Sequence, residues 1–219
     1  MRCRVRQLRW LDGPSCRGCG VPLEHATRRA GLPPTENAAE PARCRSCRLA
    51  PLAIAGIVAA AEYCDPLGAA LRSFKYRYRR ELARALVDVL LQGVGHRLPP
   101  HDILVPVPLF ASRQRERGFN HAAVLARGLA QALGCRYDGT LLERVRPTAQ
   151  QARLSRQQRR ANLAGAFAAA PHRATGQRVV VVDDICTTGS TLEACALALT
   201  AAGAREVWGC AVARTVERT

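Results

Sequence analysis

Lysine is almost missing from this chain. Of 33 basic residues only Lys75 is a lysine, and with 17 acids the net charge is +16 and the isoelectric point about 10.6. Arginine in place of lysine, together with abundant alanine, is a habit of GC-biased genomes. The excess of base over acid is not explained that way and points to polyanions or phosphorylated ligands. Also missing is an apolar run able to span a membrane, which needs ~20 residues. The longest, Leu49 to Ala61, is interrupted by Pro51 and Gly56. The opening MRCRVRQLRW carries charge without an apolar region, so the sequence reads as having no secretory signal. Its ten cysteines are therefore expected in a reducing cytoplasm and not as disulfides, with the four in paired spacing as metal ligands. No helix-turn-helix pattern is visible, and no acid occurs from Arg144 to Asn162.

With 219 residues, 48% of them hydrophobic, the chain can build one domain of ordinary size plus a small module. The module is expected at residues 1–50. There Cys16-Arg-Gly-Cys19 and Cys44-Arg-Ser-Cys47 each set two thiolates on one knuckle. Two knuckles complete a tetrahedral Zn²⁺ site, and a redox pair or unliganded thiols are the alternatives. The proline-rich segment between them has too little periodicity to fold without the metal. Cys3, Cys64, Cys135, Cys195 and Cys210 stand alone and read as small core or surface residues.

Residues 51–219 are expected to form an α/β domain with a parallel sheet. Its centre is Val179 to Thr191, VVVVDDICTTGST. The valines describe a strand buried on both faces. From Ser190 the residues Leu192, Ala196 and Leu199 describe a helix ending near Gly203. A small-residue loop between strand and helix N-terminus is a phosphate cup, with Gly189 allowing close approach of the backbone. Carboxylates repel phosphate, so Asp183 and Asp184 must face something else, ribose hydroxyls or a divalent cation. Cys186, inside the loop, is the one lone cysteine placed to react or sense oxidation.

Other segments surround this one. Asp65-Pro66 starts a helix with Leu67, Ala70, Leu71 and Phe74 on one face. Lys75 to Arg80 is a basic-aromatic cluster, either a solvated helix end or a pyrophosphate contact. Asp102 to Pro108 is a buried strand whose pairing should stop at its prolines. An Arg-rich loop with Arg113, Arg115 and Arg117 follows, then a helix from Asn120 to Leu133 closing on Gly134. Residues 144–162 read as a mobile basic flap leading into a short helix capped by Ser155, with a solvated loop as the plainer alternative. Glu206 to Ala213 is a final strand.

The Val179–Thr191 stretch resembles the PRPP-binding signature of type I phosphoribosyltransferases. The resemblance implies that Asp183 and Asp184 hold the ribose hydroxyls of PRPP, bound with Mg²⁺, and that Thr187, Thr188, Gly189, Ser190 and Thr191 wrap its 5′-phosphate. The full ordered set is similar to the ComF family, which joins an N-terminal zinc ribbon to a phosphoribosyltransferase domain. The set comprises both C-x-x-C pairs, Tyr63-x-x-Pro66-Leu67, Lys75-Tyr76-Arg77, Pro106-Val-Pro-Leu109, Arg113-x-Arg115-x-Arg117-Gly-Phe-Asn120, Gln151-x-x-Leu154-Ser155, Arg159-x-x-Asn162 and the cup. It implies Cys16, Cys19, Cys44 and Cys47 as ligands of a structural Zn²⁺. Lys75, Arg113, Arg117, Asn120, Gln151 and Arg159 are the candidates for pyrophosphate and flap contacts. His121 departs from the pattern, where glutamine is expected.

Two functions follow from the resemblance. One is a cytoplasmic PRPP-binding factor that supports uptake and handling of single-stranded DNA in natural competence, alongside uptake machinery. The other is an enzyme that transfers ribose 5-phosphate from PRPP to a base or amine. Enzymes acting on 6-oxopurines carry an acid where this chain has Thr187, which argues against that acceptor.

Overall fold

The structure, a computed structural model, describes residues 7–23, 42–76, 79–148 and 156–216. In chain order its elements are α1 (Arg45–Leu49), β1 (Gly56–Glu62), α2 (Leu67–Tyr76), α3 (Ala83–Val94), β2 (Ile103–Pro106), α4 (Ala111–Arg117), α5 (His121–Leu133), β3 (Arg136–Tyr137), β4 (Leu142–Arg144), α6 (Arg156–Leu163), β5 (Phe167–Ala169), β6 (Arg178–Cys186), α7 (Ser190–Ala201) and β7 (Glu206–Arg214).

Five strands form a parallel sheet in the order β1-β7-β6-β2-β3. The valine run explains why β6 is central. Successive side chains of a strand point to opposite faces, so Val179 and Val181 enter one core while Val180 and Val182 enter the other. The second of these cores is covered by α2, α3 and α5. Leu71, Phe74, Leu90, Leu125 and Leu129 are fully buried there, each contributing ~1.5–3 kcal/mol by removal from water. The first core lies under α7, the β4–β5 hairpin and the segments carrying Cys16, Cys19, Cys44 and Cys47. The cysteine segments thus share a core with Ile57, Val181 and Leu192. Residues 9–11 also join the sheet: Trp10 bridges Ala61 antiparallel, and Leu11 N donates to Ala60 O at 3.0 Å.

Two local expectations are corrected. Pairing of β2 does not stop at its first proline, because Pro106 is in register with Val182 and Val107 N donates to Val182 O at 2.9 Å. Backbone groups alternate sides along a strand, so the N–H that Pro106 lacks is on the side away from β6. The Arg113–Arg117 stretch is the short helix α4 and not a loop. ASRQRER contains no glycine or proline to break a helix, and Gly118 ends it with φ +69°.

Candidate ligand site and metal centre

The central strand delivers two carboxylates to the carboxyl end of the sheet, where ligands of open α/β sheets bind. Past Asp183 and Asp184 the chain turns through Thr187, Thr188 and Gly189 into α7. Thr188 Oγ1 and Ser190 Oγ are 2.9 Å apart, and Ser190 N donates to Thr188 Oγ1 at 3.4 Å. Those bonds shape the loop around the first turn of α7, whose amides have no partner within the helix. Thr187 is exposed at the lip, and Thr191 is half-buried. Gly189 has a role in the fold as well. Its φ is +85°, and a Cβ there would lie 2.9 Å from Ile57 Cδ1 and 3.1 Å from Leu52 Cδ1. The glycine is therefore required by its own conformation and by the core beneath the loop.

Lys75, at the end of α2, reaches the acids. Its Nζ is 2.8 Å from Asp184 Oδ2 and 3.1 Å from Oδ1. Burial opposes ionisation of Asp184, but the Lys75 charge and hydrogen bond outweigh it and hold the carboxyl below the usual range. Asp183 goes the other way: burial, and then the adjacent Asp184 charge, push it up to about 7. Its Oδ1 accepts from Asp184 N at 2.8 Å. Below this pair His121 is buried edge-on to Phe74, with ring centroids 5.2 Å apart, and 4.5 Å from the Phe119 centroid. Among the described residues neither ring nitrogen has a hydrogen-bond partner of good geometry. Burial drives its pKa down to about 4, so the imidazole is neutral at pH 7.

The remaining candidates divide. Arg159 Nη1 donates to Thr187 Oγ1 at 2.7 Å, which brings the flap side to the cup. Arg113 and Arg117 are half-buried on α4, and the Arg117 charge opposes those of Lys75 and His121. Asn120 shapes the site as a helix cap. Its Oδ1 accepts from Ala122 N at 3.0 Å, and its Nδ2 donates to Val107 O at 3.0 Å. Gln151, Arg77 and Tyr78 lie outside the described residues, as do Cys3, Arg153 and Ser155. At the flap root Arg146 donates to Asn162 O at 3.0 Å, and Arg144 stacks over Phe167 at 5.5 Å.

Sequence reasoning missed Glu193. This acid is buried in the first turn of α7 and held by both Arg160 and the Ala53 amide. The signal was there: Glu193 precedes Ala196 by three residues and so shares the apolar face of the helix. Cys186 is also corrected. It is buried, its thiol is pushed up chiefly by burial, and Arg214 Nη1 is 2.9 Å from its sulfur, so it is sheltered and not reactive.

The four sulfurs of Cys16, Cys19, Cys44 and Cys47 lie within 4.8 Å of one another, all buried. Cys19 Sγ and Cys44 Sγ are 3.7 Å apart. A tetrahedral site with Zn–S bonds of ~2.3 Å requires sulfurs ~3.8 Å apart. The cluster can hold a zinc ion. Gly20, at φ +72°, lets this knuckle lie directly on β1, since a Cβ there would be 2.6 Å from Ile57 O. Arg17 O also accepts from Ile57 N at 3.2 Å. Among the described residues no helix is long and apolar enough to cross a membrane.

A parallel sheet with paired acids before a Thr-rich cup defines a phosphoribosyltransferase-type domain, and residues 120–219 match the phosphoribosyl transferase domain family. Over its greater length the chain is 35% identical to the DNA utilization protein YhgH of Salmonella typhi, covering 92% of this chain and 84% of that one. It is 31% identical to competence protein F of Haemophilus influenzae, covering 90% and 84%. With competence protein ComFC of Bacillus subtilis it shares 28% identity, over 59% of this chain and 52% of the relative. Among solved structures, the glutamine PRPP amidotransferase of B. subtilis aligns with a TM-score of 0.44 and 21% identity, over 64% of this chain and 30% of that one. The chain belongs to the ComF family.

Proposed function

We propose that this protein binds PRPP in the cup and uses that site in handling single-stranded DNA. The observation that carries the reading is the placement of Asp183 and Asp184 at the end of β6, one short loop from the N-terminus of α7. In this reading Thr187 to Thr191 and the α7 amides hold the 5′-phosphate, and the two acids take the ribose hydroxyls. Lys75, Arg113, Arg117 and Arg159 meet the pyrophosphate, while Asn120 caps α5 just beyond α4 and Gln151 belongs to the flap. A divalent cation such as Mg²⁺, bound with PRPP, supplies further neutralisation of the pyrophosphate. Zn²⁺ at Cys16, Cys19, Cys44 and Cys47 is structural, because four protein thiolates leave no open position for chemistry. Residues 1–50 and 51–219 are read as two sequence units built on a common core. The DNA half of the reading is supported by the names of the relatives, by the +16 charge and by the arginines of α4.

A second reading is transfer to an amine or base. A bond forms from the acceptor nitrogen to C1 of the ribose while the C1–oxygen bond breaks, and its electron pair leaves with pyrophosphate. The match of residues 120–219 to the phosphoribosyl transferase domain family supports this reading. Thr187 in place of an acid sets it apart from 6-oxopurine chemistry.

Calorimetric titration with PRPP and Mg²⁺, followed by pyrophosphate release with and without single-stranded DNA, tests both readings. Thr188→Val is expected to weaken PRPP binding by ~1–3 kcal/mol, the cost of a lost hydrogen bond to a charged group. Wild-type protein that takes up no PRPP overturns both readings.

A further inference from the structure

Glu193 is 6% exposed on a helix face otherwise made of Ser190, Leu192, Cys195, Ala196 and Leu199. A carboxylate withdrawn from water persists only where charge and hydrogen bonds replace its hydration. Here Arg160 grips it as a fork, Nε to Oε2 at 2.7 Å and Nη2 to Oε1 at 2.6 Å, while Ala53 N donates to Oε1 at 3.0 Å. Arg160 Nη2 also donates to Pro51 O at 2.7 Å.

Three separate segments converge on this one carboxylate. Residues 51–53 follow α1, the helix that carries Cys47. Arg160 lies on α6, and its neighbour Arg159 touches Thr187 in the cup. Glu193 itself closes the first turn of α7, its N–H donating to Gly189 O at 2.9 Å. We propose that Glu193 is a positioning residue: through Arg160 it fixes α6, and so Arg159 and the flap root, against the cup and the cysteine module. The proposal rests on the PRPP reading of the cup. A pair that merely stabilised the fold would leave the ligand affinity of the folded protein unchanged when replaced.

Replacing a buried ion pair by apolar residues of similar size is commonly neutral or stabilising. The Arg160→Leu/Glu193→Leu protein is therefore expected to fold and keep its zinc. Its PRPP affinity should fall about tenfold, within the usual span of coupling between sites. Amide exchange in residues 156–163 should quicken about tenfold while α3 and α5 stay protected. Glu193→Gln keeps an acceptor for Ala53 N, loses the charge, and should show the same exchange pattern; it decides the matter if the double variant does not fold. Wild-type exchange of residues 156–163 in either folded variant overturns the proposal. If wild-type protein binds no PRPP, the reading of the cup falls and the exchange measurement still decides the clamp.

Discussion

Lys75 Nζ stands between the two carboxylate oxygens of Asp184, 3.1 Å from one and 2.8 Å from the other, although the residues are 109 apart in sequence. In the proposed PRPP reading, Lys75 is thus a counter-cation already paired with one of the acids assigned to the ribose hydroxyls. Lys75→Met should free the acids and strengthen Mn²⁺ binding in the absence of PRPP by about tenfold, the effect of one pKa unit of charge interaction. The same change should cost the fold roughly 3–5 kcal/mol, because Asp184 is left buried without its partner. Water-proton relaxation of Mn²⁺ reads the first effect and denaturant unfolding the second. Unchanged Mn²⁺ affinity would mean that Lys75 does not guard the site.

Asp183 sets a pH slope. Its carboxyl ionises near 4 when unfolded and at about 7 when folded. Between those values the folded state holds a proton that the unfolded state has released, so its contribution is complete at low pH and lost as pH rises to about 7. His121 has the opposite sign. Lowered to about 4, it makes stability rise with pH up to its unfolded value near 6.5. Comparing Asp183→Asn with wild type isolates the first effect. The variant should gain more melting temperature at pH 8 than at pH 5, and equal gains at both would refute the assignment.

The cysteine cluster predicts one zinc per chain by elemental analysis, lost in Cys44→Ser and in Cys16→Ser/Cys44→Ser. Because Ile57 underlies both Gly20 and Gly189, chelating the metal should also weaken PRPP binding. Full zinc content in the double variant rules out this site.

Single-stranded DNA binding, measured against salt, should lose log affinity at about 0.7 per log unit of salt for each phosphate neutralised. Arg113→Ser, Arg115→Ser and Arg117→Ser together should flatten that slope and leave zinc intact. Arg160 is excluded from such a test because its charge holds Glu193. A protein that ignores single-stranded DNA in low salt loses the DNA part of the proposal.

Local chemistry made part of this molecule legible in advance. Four valines ahead of two acids fix a central strand whatever surrounds them, and two C-x-x-C knuckles suffice to draw four sulfurs together. Asn120 and Gly134 marked both ends of α5 by capping rules that act within a few residues. What stayed hidden depends on partners distant in sequence. Nothing near Lys75 announces Asp184, and nothing near Glu193 announces Arg160 or Ala53. Arg160 lay in a stretch whose density of charge suggested solvent. The sequence marks Gly189 as necessary, but the core constraint on it is invisible there, because Ile57 and Leu52 come from another part of the chain. The α4 segment was misjudged because a run of arginines was taken as irregular, although none of its residues disfavours a helix.

The strand order has a consequence in time. β1 is the first strand synthesised, and its inner neighbour in the sheet is β7, the last. Until residues 206–214 have emerged from the ribosome, the earlier residues among those described that bond to β1 are 9–11 and Arg17. Every residue from Gly56 to Glu62 is buried in the finished sheet, so the nascent chain carries an apolar strand without its sheet throughout synthesis. Folding of this protein is therefore a late event that waits on non-local closure. A ribosome-stalled chain ending before Glu206 should remain protease-sensitive across β1.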